Sequence, residues 1–340
     1  MYPFFRRFRI RFVKQCIGHN FFIDECMTFA QNFFLSTQTL KWLLFSLLAL
    51  IWGSSFILMK IGLQHLNAYQ VASIRILSAG LVMLPFAIKG WKKVPKNKII
   101  TVIIAGLLGN FFPAFLYCIA ETKIDSALTS ILNALTPLCA IIIGVAFFKL
   151  AVSRQKNFGV VTGFIGLSLL PIASEGAISF ANISYASFVL MATICYGTNV
   201  HVVSRHLKEL SSTDIASVAF SFFIPPCILI LTFTGFFDLP LALHEFIFSG
   251  AASFILGALG TALASVWFYT LVKTAGSIFA SLVTYGIPFI AVLWGLIFGE
   301  HITLFEIGCL LIILAGVYIV NKKVRKPVSP QVRKTFPNQP

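Results

Sequence analysis

Charge is what this sequence has least of. Asp, Glu, Lys and Arg make up 11% of its 340 residues, against 58% hydrophobic ones, too little polar surface for such a chain to cover itself in water. Acidic residues are scarcest, 11 against 26 Lys and Arg. That basic excess sits in short clusters between apolar runs and not along one amphipathic face, which argues against a nucleic-acid partner. The seven cysteines are scattered singly, with no Cys-x-x-Cys pair and no metal-like Cys/His spacing, and read as small buried hydrophobes. Walker, haem and ferredoxin-like signatures are missing, so no cofactor, metal or catalytic residue is expected. The ten-residue alternation of a membrane β-barrel is absent too.

What remains is a series of long apolar runs. Each bilayer crossing takes roughly 20 apolar residues, and candidate helices fall near 41–62, 68–88, 98–119, 126–147, 157–173, 182–203, 213–233, 247–270, 276–298 and 302–320. The prediction is an all-α integral membrane protein of about ten transmembrane helices, with no room for a sizeable soluble domain. Residues 1–39 form a basic N-terminal extension in which Arg6, Arg7, Arg9, Arg11 and Lys14 alternate with Phe and Ile. It reads either as an amphipathic segment on the anionic leaflet or, the preferred reading, as an over-long gene model whose true start is Met27. Residues 321–340 form a basic tail.

Basic residues mark the cytoplasmic loops. With the N-terminus inside, Lys89, Lys92, Lys93, Lys96 and Lys98, then Lys149, Arg154 and Lys156, then Arg205 and Lys208 all fall on that side. The opposite loops keep Lys123 with Glu121, Asp125, Glu175, Asp238, Glu245, Glu300 and Glu306. Both termini are therefore expected in the cytoplasm.

An internal repeat appears at a spacing of about 151 residues. YCIAETKIDSALTSILNALTPLCAIIIGVAFF, Tyr117 to Phe148, lies over FYTLVKTAGSIFASLVTYGIPFIAVLWGLIFG, Phe268 to Gly299. Ser126 falls on Ser277, Ser130 on Ser281, Pro137 on Pro288, and upstream Gly109-Asn110 falls on Gly260-Thr261. Trp52-Gly53-Ser54-Ser55 also meets Tyr196-Gly197-Thr198-Asn199 at a slightly shorter spacing. The repeats divide the chain at 40–174 and 182–320. Five helices per repeat is an odd number, so the halves lie inverted across the membrane, the architecture of alternating access with a site near the midplane.

These segments, with LLALIWGSSFILMKIGL (Leu47 to Leu63) and ASIRILSAGLVMLP (Ala72 to Pro85), resemble the drug/metabolite transporter superfamily, EamA type, over about residues 40 to 320. The resemblance implies a ten-helix carrier of the inner membrane, both termini cytoplasmic, moving small metabolites such as amino acids, nucleosides or drugs. Where the family often has a glutamate after the fourth helix, this chain has Phe148-Lys149, while the second half keeps Gly299-Glu300.

Polar side chains inside lipid are functional candidates by default. Arg75 lies about seven residues into the second helix, too deep for a loop charge; it binds an anionic substrate group or a carboxylate, or else snorkels or forms a structural ion pair. Lys60 reads as an interfacial anchor. Asn110, Tyr117, Asn133, Thr136, Tyr196, Asn199, Tyr269 and Tyr285 suit a neutral, aromatic, hydrogen-bonding cavity, with helix–helix hydrogen bonds as the bland alternative. Trp294 is the one tryptophan deep enough to join them. His201 is the best proton-coupling candidate among the helices, and no acidic residue falls at mid-membrane depth. The expected partners are a small-molecule substrate and membrane lipid, with a homodimer left open. The function expected is a secondary carrier, working as an exporter. Two alternatives compete: a lipid-linked or polyprenyl-phosphate flippase of the same fold, with Arg75 on the phosphate, and an intramembrane hydrolase pairing Ser54 or Ser55 with His201.

Overall fold

The computed structural model describes residues 37–148, 154–173 and 180–321. Residues 1–36, with the Met27 alternative start, and the basic tail beyond 321 lie outside the described residues.

Ten helical rods make up the described chain. They are α1 (Thr37–Gly62), α2 (Ala68–Lys93), α3 (Lys96–Ala120), α4 (Ser126–Phe148), α5 (Arg154–Ala173), α6 (Phe180–His206), α7 (Ser212–Phe233), α8 (His244–Ala275), α9 (Ser277–Ser281 continued by Val283–Ile297) and α10 (Leu304–Asn321). Eight of them are long and apolar enough to cross a membrane, and α10 contains a shorter apolar stretch. Large side chains such as Ile88, Ile100, Phe147, Phe233 and Leu304 stand exposed on the outside of the bundle, an apolar surface that lipid covers and water does not.

Local sequence sets the helix starts. Asn67 accepts from Gln70 N at 3.0 Å while Gln70 Oε1 accepts from Asn67 N at 3.0 Å, a reciprocal cap that satisfies two orphan amides at the head of α2. Ser211 Oγ does the same for Asp214 N at the head of α7. Gly276 carries φ +89° between α8 and α9, a conformation open to glycine at no steric penalty, so one helix stops and the next begins within a single residue.

Packing shows the inverted repeat directly. The helix α1 packs against α8 and α9, and α6 packs against α3 and α4; α2 lies along α7, and α5 along α10. Adding five to a helix number, or subtracting it, maps this set of pairs onto itself. The glycines of the Trp52-Gly53 and Tyr196-Gly197 pairs, each inside its helix, serve the same purpose in the two halves. A Cβ on Gly53 of α1 would press on Ile290 of α9, and one on Gly197 of α6 on the Cys139–Ala140 backbone of α4. The chain is therefore an all-α membrane protein of two inverted five-helix repeats, each half clasping the other's last helices.

Candidate functional site

Two irregular turns face each other at the centre of the bundle. In α3 the backbone opens into a π turn at Leu107–Phe111, and in α8 into another at Leu256–Leu263, so the Gly109-Asn110 and Gly260-Thr261 pairs both sit in widened turns. Such turns shift side chains out of the regular helical register. Asn110 Nδ2 donates to the Tyr269 hydroxyl at 3.2 Å, and Asn110 Oδ1 accepts from Ser265 Oγ at 2.8 Å. Thr261 Oγ1 accepts from Arg75 Nε at 2.7 Å.

Between these turns lies a cavity of about 60 Å³, room for roughly four waters. Its walls come equally from the two halves: α1, α2, α3 and α4 on one side, α6, α8 and α9 on the other. Arg75, Asn110, Tyr117, Asn133, Thr136, Tyr196, Asn199 and Tyr269 all line it, together with the apolar faces of Trp52, Phe56 and Phe268. Most of its polar groups are already paired. Tyr117 donates to Asn133 Oδ1 at 2.6 Å, Thr136 Oγ1 also donates to Asn133, and Trp52 Nε1 donates across the halves to the Gly260 carbonyl at 2.9 Å. The Tyr117 and Tyr196 rings stack with centroids 6.0 Å apart. Gly109 keeps the wall thin, since a Cβ there would overlap the Asn199 amide and lie 3.2 Å from the Tyr269 hydroxyl.

Other candidates go elsewhere. Tyr285 and Trp294 are not among the lining residues; Trp294 Nε1 donates to Ser54 Oγ at 2.9 Å and packs beside Ile57 and Ile61. His201 Nε2 is tied to the Ala140 carbonyl at 2.7 Å and its ring stacks on Phe148 at 4.9 Å, which leaves the proton-coupling candidate outside the cavity. Ser55 Oγ is held by the Ile51 carbonyl, so the serine–histidine pair that a hydrolase needs is not assembled. Arg75 neither snorkels nor forms an ion pair among the described residues: it is 7% exposed, with Thr261 and, more weakly, Met59 Sδ at 3.6 Å as partners.

Little in the sequence marks an ionic clamp that lies one residue along α1 from the cavity wall. Met59 lines the cavity; the next residue, Lys60, pairs with Glu300 at 2.7 Å and is 3.9 Å from Asp125. Glu300, its side chain 1% exposed, also accepts from the backbone amides of Ser126 and Ala127 at 3.3 and 3.1 Å. It thus caps the head of α4, where unpaired N–H groups favour an anion. Lys60 is a buried-carboxylate partner and not the interfacial anchor expected. Nearby, just beyond α3, both carboxyl oxygens of Glu121 are buried without a hydrogen-bond partner. Burial, reinforced by the charge of Glu300, holds this carboxyl well above its usual range, against the opposing pull of Lys60 and Arg75. Half-buried Asp125 is raised by the same two causes. At the opposite end of α4 the contact is aromatic: the Phe148 ring stacks on His201, with the Arg205 guanidinium 5.7 Å from its centre.

Comparison with known proteins bears on the fold and the family. An uncharacterized transporter of Archaeoglobus fulgidus is 28% identical over 296 residues, 83% of this chain and 99% of that protein. A probable amino-acid metabolite efflux pump of Salmonella typhimurium is 24% identical over 144 residues, 42% of this chain and 46% of the pump. A crystal structure with 12% identity superposes with a TM-score of 0.58 over 82% of this chain and 95% of its own, which bears on the fold alone. The model of the EamA-like transporter family matches residues 40–171 and 183–322, one match on each half, and the chain belongs to that family of transporters.

Proposed function

We propose that this protein is a secondary carrier that exports small metabolites across the inner membrane by alternating access, with both termini in the cytoplasm. The observation that carries the reading is the cavity itself, lined equally by two inverted halves. A site shared by two bodies of opposite orientation is exposed to one side or the other when they rock, and the solute need not cross the lipid. The lining suits a compact solute with hydrogen-bonding and apolar parts: Tyr117, Tyr196 and Tyr269 supply ring faces and Asn110, Asn133 and Thr136 a polar frame. The Salmonella relative's name, an amino-acid metabolite efflux pump, points to the same size and chemistry, and the basic clusters support a cytoplasmic position for the loops that carry them.

The test compares cells with and without the protein, reading soluble metabolites inside and in the medium. A pool that falls inside and rises outside supports the carrier and its direction. Unchanged pools across all soluble classes, with the protein present in the membrane, refute it.

A further inference from the structure

Two cavity groups are left unsatisfied. Arg75 is the one charged residue among those lining the cavity, and its neighbours are a threonine hydroxyl, a thioether sulfur and the Tyr196 hydroxyl. None is an anion, and the fork of five N–H donors is only partly used. Glu121, one turn beyond Tyr117 and just past the end of α3, is not within ion-pair distance. The second group is Asn199, 2% exposed. Its amide interacts with the Tyr269 hydroxyl, yet Oδ1 has no hydrogen-bond partner. A buried cation without a counter-ion and a buried acceptor without a donor are both expensive, and both border the same space.

We infer that the solute carries a carboxylate, held by Arg75, and an N–H or O–H donor close to it, accepted by Asn199 Oδ1. Small amino acids and hydroxy acids have this arrangement. A planar guanidinium takes a carboxylate through two parallel hydrogen bonds, which supplies the charge the site lacks. Ring faces of Tyr117, Tyr196 and Phe268 remain for the rest of the molecule, and space for roughly four waters limits it to a compact one in this conformation. The inference rests on the carrier reading and narrows it: uncharged solutes, such as nucleosides, and cationic drugs leave Arg75 unpaired and are rejected.

The experiment reconstitutes the full chain in proteoliposomes loaded with a mixture of proteinogenic amino acids, their carboxamides, short hydroxy acids and a whole-cell metabolite extract, with efflux read by mass spectrometry. Amino or hydroxy acids leave, and their carboxamides leave about 10- to 100-fold more slowly, the range expected for losing hydrogen bonds to a charge. Arg75→Gln loses efflux of the acids by a similar factor while Arg75→Lys retains part of it. Asn199→Ala slows efflux of the same acids by removing the acceptor. Equal efflux of acid and carboxamide, or efflux only of solutes without a carboxylate, overturns the inference and leaves the carrier standing. Recovery of Arg75→Gln by Glu121→Gln also overturns it, because Arg75 then serves as an ion partner in another conformation. Efflux of nothing at all refutes the carrier and the inference with it.

Discussion

Glu300→Gln breaks the clamp while keeping its shape. The carboxylate accepts from Lys60 and from two backbone amides at the head of α4, and the neutral amide oxygen of glutamine can keep only part of this. A hydrogen bond to a charged group contributes about 1.5–3 kcal/mol. The side chain of Lys60 is 38% exposed, so its share is screened toward the surface-pair value of under about 1 kcal/mol. With one weak amide bond retained, the loss is about 2–3 kcal/mol in any conformation that holds the clamp closed. That shifts the closed and open populations by roughly 30- to 150-fold. Ser55 reports on it: it is buried, lines the cavity, and Ser55→Cys changes little in size. In a background free of other cysteines, labelling of Ser55→Cys by a membrane-impermeant maleimide should rise by about that factor in the Glu300→Gln variant. The rise should appear from one face of the membrane only. Equal labelling with and without the substitution, or a rise from both faces, refutes the clamp.

Three further outcomes follow from the geometry. The Glu121 carboxyl is raised above its ordinary value of 4.5, so the fold holds it neutral; stability is fullest below that pH and declines as pH rises toward the raised value. Glu121→Gln should flatten this decline in a melting-temperature series, and an unchanged slope removes Glu121 as its cause. Glu300, Lys60, Arg75 and Asp125 face the same carboxyl, so the series needs Glu300→Gln as a companion. Gly109→Ala puts a methyl into the Asn199 amide and should destabilise by about 1–3 kcal/mol, with transport lost before folding; normal melting and normal transport would contradict the close approach. Tyr117→Phe removes the donor to Asn133 and should lower stability by about 1 kcal/mol, read as a shift in melting temperature, while Asn133 keeps its bond from Thr136.

Much of the fold was legible because lipid imposes long apolar runs that charge interrupts only at their ends. The repeat was legible because Ser126 and Ser277 each open a helix and the Gly-Asn and Gly-Thr pairs each fall in a π turn. Depth along a helix can be counted from its ends, which marks Arg75, and a polar side chain inside an apolar run marks Asn110 and Tyr269. The direction a side chain takes around its helix depends on which neighbour packs there, and no count supplies it. Trp294 lies deep yet turns to Ser54, and His201 meets a carbonyl. Lys60 and Glu300 are 240 residues apart, and nothing local marks them as partners.

The two ends of α4 are fastened by different chemistry. At its head the fastening is ionic, Glu300 on Lys60 and the helix amides; at its tail it is a stack, Phe148 on His201 with Arg205 beside the ring. A helix long enough to cross the membrane carries its two ends to opposite faces, so the two fastenings meet different surroundings. Salt screens the first where solvent reaches Lys60, while the second rests mainly on ring contact. A symmetric architecture is therefore held by an asymmetric pair of fastenings, and the solution on each face bears on each of them separately.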